Sequence, residues 1–259
     1  MDNSESLSQQ SLIEHLAELR SCLIISLSAV AVGFAVAYSC IRPLADWFFE
    51  PLMQVLPDNK NLIFISYQEG FFFYLKLALV AGMLLASPVI FHQIWRFIAP
   101  GLYQHEKKLL LPFSFISTLC FLGGAAFAYF VVFPPAFRFL TSYSSEFLDP
   151  MPAVSEYFSL ALRLLFAFGA IFELPVFMVF LAKLGMVDAP FLAQNRKYAF
   201  LIAFVIAAIV TPTPDVVNQL FMAVPLVVLY EISIVAVRFF ARHPLAAETE
   251  KKEKRKKDN

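Results

Sequence analysis

Residues 109–133 read Leu109-Leu110-Leu111-Pro112-Phe113-Ser114-Phe115-Ile116-Ser117-Thr118-Leu119-Cys120-Phe121-Leu122-Gly123-Gly124-Ala125-Ala126-Phe127-Ala128-Tyr129-Phe130-Val131-Val132-Phe133, without one charged side chain. About 20 apolar residues, rising roughly 1.5 Å each, cross the ~30 Å hydrocarbon core of a bilayer. Further apolar stretches lie at 21–41, 71–95, 157–182, 198–211 and 219–237, and charge is confined almost entirely to the segments between them. Inside lipid every backbone N–H and C=O needs an internal partner, so runs of this length are helices. The expected fold is an all-α polytopic membrane protein with six transmembrane helices.

Composition agrees. Hydrophobic residues make up 59% of the 259-residue chain and charged residues 15%, against about 25% charged in soluble domains. The formal net charge of zero becomes informative only when charge is sorted by side of the membrane. With the N-terminus inside, the inner segments hold Arg20, Arg96, Lys107, Lys108, Lys183, Arg196, Lys197, Arg238, Arg242 and the basic run from Lys251 to Lys257. The outer segments keep only Arg42, Lys60, Lys76, Arg138 and Arg163. That asymmetry predicts both termini in the cytoplasm. The acidic opening Met1-Asp2-Asn3-Ser4-Glu5 and the lack of a small-residue cleavage pattern predict no signal peptide.

Hydrolytic and nucleotide chemistry have no visible apparatus. Cys22, Cys40 and Cys120 lie in or at the ends of spans with no CxxC spacing, and four histidines are scattered. Neither H-E-x-x-H, G-x-S-x-G nor a glycine-rich phosphate loop occurs. No enzyme activity, cofactor, metal site or nucleic-acid partner is expected.

Residues 1–20 form an amphipathic cytoplasmic lead-in, 21–240 the membrane domain, and 241–259 a charged tail expected to be disordered. Ser11 and Glu14 match a capping box. Leu12, Leu16, Leu19 and Leu23 recur at helical spacing, so one helix runs from the lead-in into the first span. The outer loop 42–69 carries Leu44, Trp47, Phe48 and Leu52 between prolines, the pattern of a short interfacial helix. The second outer loop, 134–156, is punctuated by Pro134, Pro135, Pro150 and Pro152.

Polar residues out of place mark the candidates. Glu14 and Glu18 are four apart and share a helix face opposite the leucines, either as a solvated acidic face or as a site awaiting an external cation. Glu106 is the only acid in the loop that follows the second span, where an ion pair and a binding role both fit. Glu173 lies mid-span before Pro175, so it is either a protonated structural carboxyl or a group facing a cavity that the proline bend opens. Glu231 in the last span is placed to reach Arg238 or water. The last two spans are short: Tyr198 to Val210 reaches only about 20 Å as a helix. The turn Thr211-Pro212-Thr213-Pro214-Asp215 joins them, and Gln219 opens the last with a polar side chain.

Taken together these strings resemble one family, TatC, the multispan receptor subunit of the twin-arginine protein translocase. The resemblance rests on His15-Leu16-Ala17-Glu18-Leu19-Arg20 and on Pro100-Gly101-Leu102-Tyr103 with Glu106. Phe127-Ala128-Tyr129-Phe130 with Phe133-Pro134, Phe172-Glu173-Leu174-Pro175, Arg196-Lys197-Tyr198, and Pro214-Asp215 followed by Gln219 extend it, in family order, over about residues 11 to 240. The turn at 211–215 is one residue longer than the family's usual Thr-Pro-Pro-Asp, and the tail beyond Arg242 matches nothing.

The resemblance implies a proton-motive-force-driven translocase core of the bacterial inner membrane that binds twin-arginine signal peptides and exports folded proteins. It places Glu18 and Glu106 at the arginine-binding positions, where carboxylate meets guanidinium bidentately. It also implies a multimeric assembly with single-span TatA- and TatB-type partners. Thr211, Thr213 and Gln219 offer uncharged hydrogen-bonding groups at the outer end of the short spans, suited either to a polar residue on such a partner helix or, for Gln219, to capping its own helix or meeting headgroup water. The rival reading is a proton-coupled secondary transporter using Glu173, which would call for paired halves with broken helices in both.

Overall fold

The computed structural model describes residues 2–55, 62–98, 110–142, 153–211 and 216–240. These form α1 (Asp2–Ser39), α2 (Ile41–Met53), α3 (Glu69–Ile98), α4 (Leu110–Phe127), α5 (Phe133–Thr141), α6 (Val154–Phe172), α7 (Leu174–Lys183), α8 (Ala189–Gln194), α9 (Arg196–Val210) and α10 (Val216–Phe240). Among the described residues the only β pairing is one isolated bridge, Ile63 to Ala153. Five helical stretches are long and apolar enough to cross a membrane: His15–Ser39, Glu69–Ile98, Leu110–Thr141, Val154–Lys183 and Gln219–Phe240. The remaining apolar stretch, 198–211, forms α9, whose 15 residues fall below the usual ~20 of a spanning helix.

The chain divides into two compact units, 1–122 with 129–162, and 123–128 with 163–259. In the first, α1 runs from the lead-in without a break into the first span and packs along α3. Gly33 and Gly82 make that contact possible. A Cβ on Gly33 would stand 2.5 Å from the Gly82 carbonyl oxygen, and one on Gly82 2.5 Å from the Phe34 nitrogen. Small residues at such a crossing let backbones touch where lipid supplies no hydrophobic drive for helix association.

Prolines leave carbonyls without their helical donor, and side chains fill them. Pro51 cannot donate to the Trp47 carbonyl, and the Tyr129 hydroxyl donates there instead. Pro88 leaves the Leu84 carbonyl open, and the Ser87 hydroxyl donates to it at 2.7 Å. The Tyr157 hydroxyl donates to the Phe48 carbonyl at 2.7 Å. The two tyrosine bonds hold α2, the short helix expected around Trp47, beside an aromatic cluster of Phe48, Phe73, Tyr157 and Phe158.

One boundary differs from the sequence reading. Helix does not stop at Pro134 and Pro135: Ala128–Val132 form a π turn, and α5 carries on to Thr141, burying Phe133 and Phe137. Two successive prolines remove two helical donors, and the wider turn absorbs the mismatch.

In the second unit α10 packs on α7, α8 and α9. The fourth span breaks at Glu173, between α6 and α7, as the proline at the second position of α7 requires. After α7, Gly185 takes φ 75°. The Gly185 N–H then donates to the Ala182 carbonyl at 3.1 Å and the Met186 N–H to Leu181 at 3.0 Å, a Schellman stop that only glycine adopts freely. Asp188 accepts from the Phe191 N–H at 2.7 Å and starts α8.

Candidate functional site

Glu18 stands on the side of α1 that meets α3. Three residues before it the His15 ring stacks on Phe97 of α3, with centroids 4.3 Å apart, and four residues after it Cys22 is buried. Residues at these spacings share one helix face. Glu18 itself is half-buried. The leucine stripe sits about 100° further round the helix: Leu16 is 62% and Leu23 53% exposed, while Leu19, nearest the seam, is half-buried like Glu18. In water such a stripe would mark the packed face; against lipid it is the outer face, and the small residues Cys22, Gly33 and Ala37 mark the seam.

Elsewhere on α3 the Trp95 indole N–H donates to the Ser117 hydroxyl at 2.9 Å, tying α3 to α4 where both are buried. Glu106, the other expected guanidinium ligand, lies outside the described residues, as do the Ser11 and Glu14 side chains. So do Thr213 and the 241–259 tail.

Glu173 is half-buried at the α6–α7 break. Thr211 ends α9, its hydroxyl donating back to the Ala207 carbonyl at 2.9 Å. The Gln219 side-chain amide donates to the Phe204 carbonyl at 3.0 Å, joining α10 to α9. Of the expected docking groups, Thr211 thus bonds back onto its own helix and Gln219 ties α10 to α9. The Gln219 amide oxygen makes no hydrogen bond among the described residues.

Glu231 does not reach Arg238. It faces Arg196, whose Nε stands 2.7 Å from Oε1 and whose Nη2 donates to Oε2 at 2.8 Å. Arg238 is two turns along Glu231's own helix, about 10 Å away along the axis, whereas the start of α9 brings Arg196 alongside. The nearby Tyr230 hydroxyl donates to the Leu192 carbonyl at 2.8 Å. No local spacing signals a fork between residues 35 apart. Among the described residues no three His, Cys, Asp or Glu side chains converge as a metal site would require.

Long apolar helices with intramembrane carboxyls and proline breaks define a polytopic α-helical membrane protein. Residues 14–225 match the family model described as "Sec-independent protein translocase protein (TatC)". The Sec-independent protein translocase protein TatC of Desulforapulum autotrophicum is 46% identical over 229 residues, 88% of this chain and 84% of that protein. The protein of the same name from Carboxydothermus hydrogenoformans is 44% identical over 88% of this chain and 93% of its own length. A crystal structure titled as the twin arginine translocase receptor TatC superposes with a TM-score of 0.74 at 41% identity, covering 88% of this chain and all of that one. The chain belongs to the TatC family: it is a membrane-embedded subunit of a Sec-independent, twin-arginine protein translocase.

Proposed function

We propose that this subunit is the receptor for twin-arginine signal peptides, with Glu18 and Glu106 pairing the two guanidinium groups. The observation that carries the reading is Glu18's position on the α1–α3 seam beside the His15–Phe97 stack, half-buried rather than on a solvated face. Partial desolvation strengthens a charge-assisted pair, and the planar guanidinium fork suits a carboxylate better than an ammonium does. The paired side is the cytoplasmic one, with six spans, both termini inside and the short α9 as the fifth span, in a bacterial inner membrane.

Bound folded cargo is then passed through an assembly of this chain with single-span TatA- and TatB-type partners, driven by the proton-motive force. Thr211, Thr213 and Gln219 form the partner-docking edge, and Glu173 supplies the intramembrane polar group needed after binding. The transporter alternative draws on the same broken helix at Glu173 but calls for a matching break in the other half, and the first span, α1, runs unbroken to Ser39.

The test is photocrosslinking from a probe at position 16 or 19 to a twin-arginine signal peptide, with a twin-lysine peptide as control. Twin-arginine-dependent crosslinks support the receptor reading. Equal yields with both peptides, or none, overturn it.

A further inference from the structure

A cavity of about 590 Å³ opens where α3 and α6 begin, with Gln68, Glu69, Phe72, Lys76, Phe158 and Ser159 among its lining residues. One wall is already built. Glu69 Oε2 accepts from the Ile65 N–H at 2.6 Å and the Ser66 N–H at 3.4 Å, and Oε1 accepts from the Ser155 N–H at 2.7 Å. The carboxylate's charge is spread over these donors, and the segment before α3 is tied to the start of α6. The Val154 N–H bond to the Ile63 carbonyl, 3.1 Å, adds to that tie.

The side chains of Lys76, Ser159 and Gln68 are exposed and make no hydrogen bond or ion pair among the described residues. Lys76 stands seven residues into α3, about 10 Å along the axis. An ammonium at that depth is costly unless water or an anion answers it, and its stem reaches back toward headgroup level. The cavity thus sets a cation with no partner among the described residues, a hydroxyl and an amide beside the exposed ring of Phe72.

We propose that this cavity binds the headgroup of an anionic phospholipid. Its phosphodiester accepts from the Lys76 ammonium and the Ser159 hydroxyl, and an acyl chain runs past Phe72. Lysine meets phosphate as a point charge, and the membrane boundary supplies phosphodiesters joined to apolar chains. A zwitterionic headgroup brings its own ammonium, which competes with Lys76 for the phosphate. The site lies within the first unit and uses none of the groups assigned to signal peptides, so either assignment can fail without the other.

The test is native mass spectrometry of the full chain in detergent, titrated separately with phosphatidylglycerol, phosphatidylcholine and inorganic phosphate. Phosphatidylglycerol is expected to bind, and Lys76→Gln to weaken it about tenfold or more. Lys76→Arg should retain binding, and Ser159→Ala should weaken it several-fold without altering the thermal midpoint. Unchanged affinity in both Lys76→Gln and Ser159→Ala overturns the site. Equal binding of phosphatidylcholine overturns the anionic assignment, and displacement by millimolar inorganic phosphate assigns the cavity to a free anion instead. A photoprobe at Phe72 should label lipid; labelling of a polypeptide assigns the cavity to a protein partner and overturns the proposal.

Discussion

Arg196 and Glu231 form a two-bond fork between the start of α9 and the second half of α10, clamping the short α9 to the long α10. The side chains are 49% and 39% exposed, so screening keeps the pair's worth to about 0.2–1 kcal/mol. Arg196→Ala and Glu231→Ala should each lower the thermal midpoint by a few degrees at most. The charge-swapped double variant, Arg196→Glu with Glu231→Arg, should recover part of that loss. A double variant no better than either charge reversal alone would remove the fork as the clamp.

The Gly33–Gly82 crossing makes a larger demand. Gly82→Ala places a methyl 2.5 Å from the Phe34 backbone, and overpacking of that kind costs about 1–3 kcal/mol. Gly123 has nothing within 4 Å of its would-be Cβ, so Gly123→Ala should be neutral or, by about 1 kcal/mol of helix propensity, stabilising. Thermal unfolding of the two variants in the same detergent separates them. Equal midpoints would show that α1 and α3 need no close approach there.

Much of this architecture was legible from apolar run length alone, because lipid forces such runs into helices. The break at Glu173, the short helix around Trp47 and the brevity of α9 were legible too, since proline position and residue count carry them. Orientation of faces was harder to read. The leucine stripe of α1 suggests a packed face to anyone reasoning from water, yet small residues mark the contact when the solvent is hydrocarbon. The Glu231–Arg196 pairing was not legible, because it joins two helices at a distance no local spacing records. The π turn at 128–132 was likewise hidden, since Pro134-Pro135 reads as a stop as readily as a bulge.

Gln219 bears on the partner-docking edge. One amide N–H is spent on the Phe204 carbonyl, and the amide oxygen, which has no partner among the described residues, is the group offered to a partner helix. Gln219→Leu removes both, and interhelical bonds of this kind are worth about 0.6–2 kcal/mol. Disulfide crosslinking of a single-span partner along 216–222 should fall in that variant while the chain still inserts. Undiminished crosslinks on the same helical face would place the docking determinant elsewhere.

Glu173 is assigned to a step after recognition. Glu173→Ala should lower export of a folded cargo more than it lowers signal-peptide affinity, read in vesicles and by peptide titration respectively. Equal losses in the two assays would make Glu173 part of the binding site or of the fold.

The most direct measurement is the affinity of a twin-arginine signal peptide for the full chain and for its Glu18→Ala, Glu106→Ala and Glu106→Gln variants. Loss of a charge-assisted bidentate contact is worth roughly 1.5–3 kcal/mol, or about one to two decades. All three variants should weaken binding by that amount, Glu106→Gln as much as Glu106→Ala, and none should differ from the parent with a twin-lysine peptide. Parental affinity for the twin-arginine peptide in both Glu106 variants would contradict the assignment.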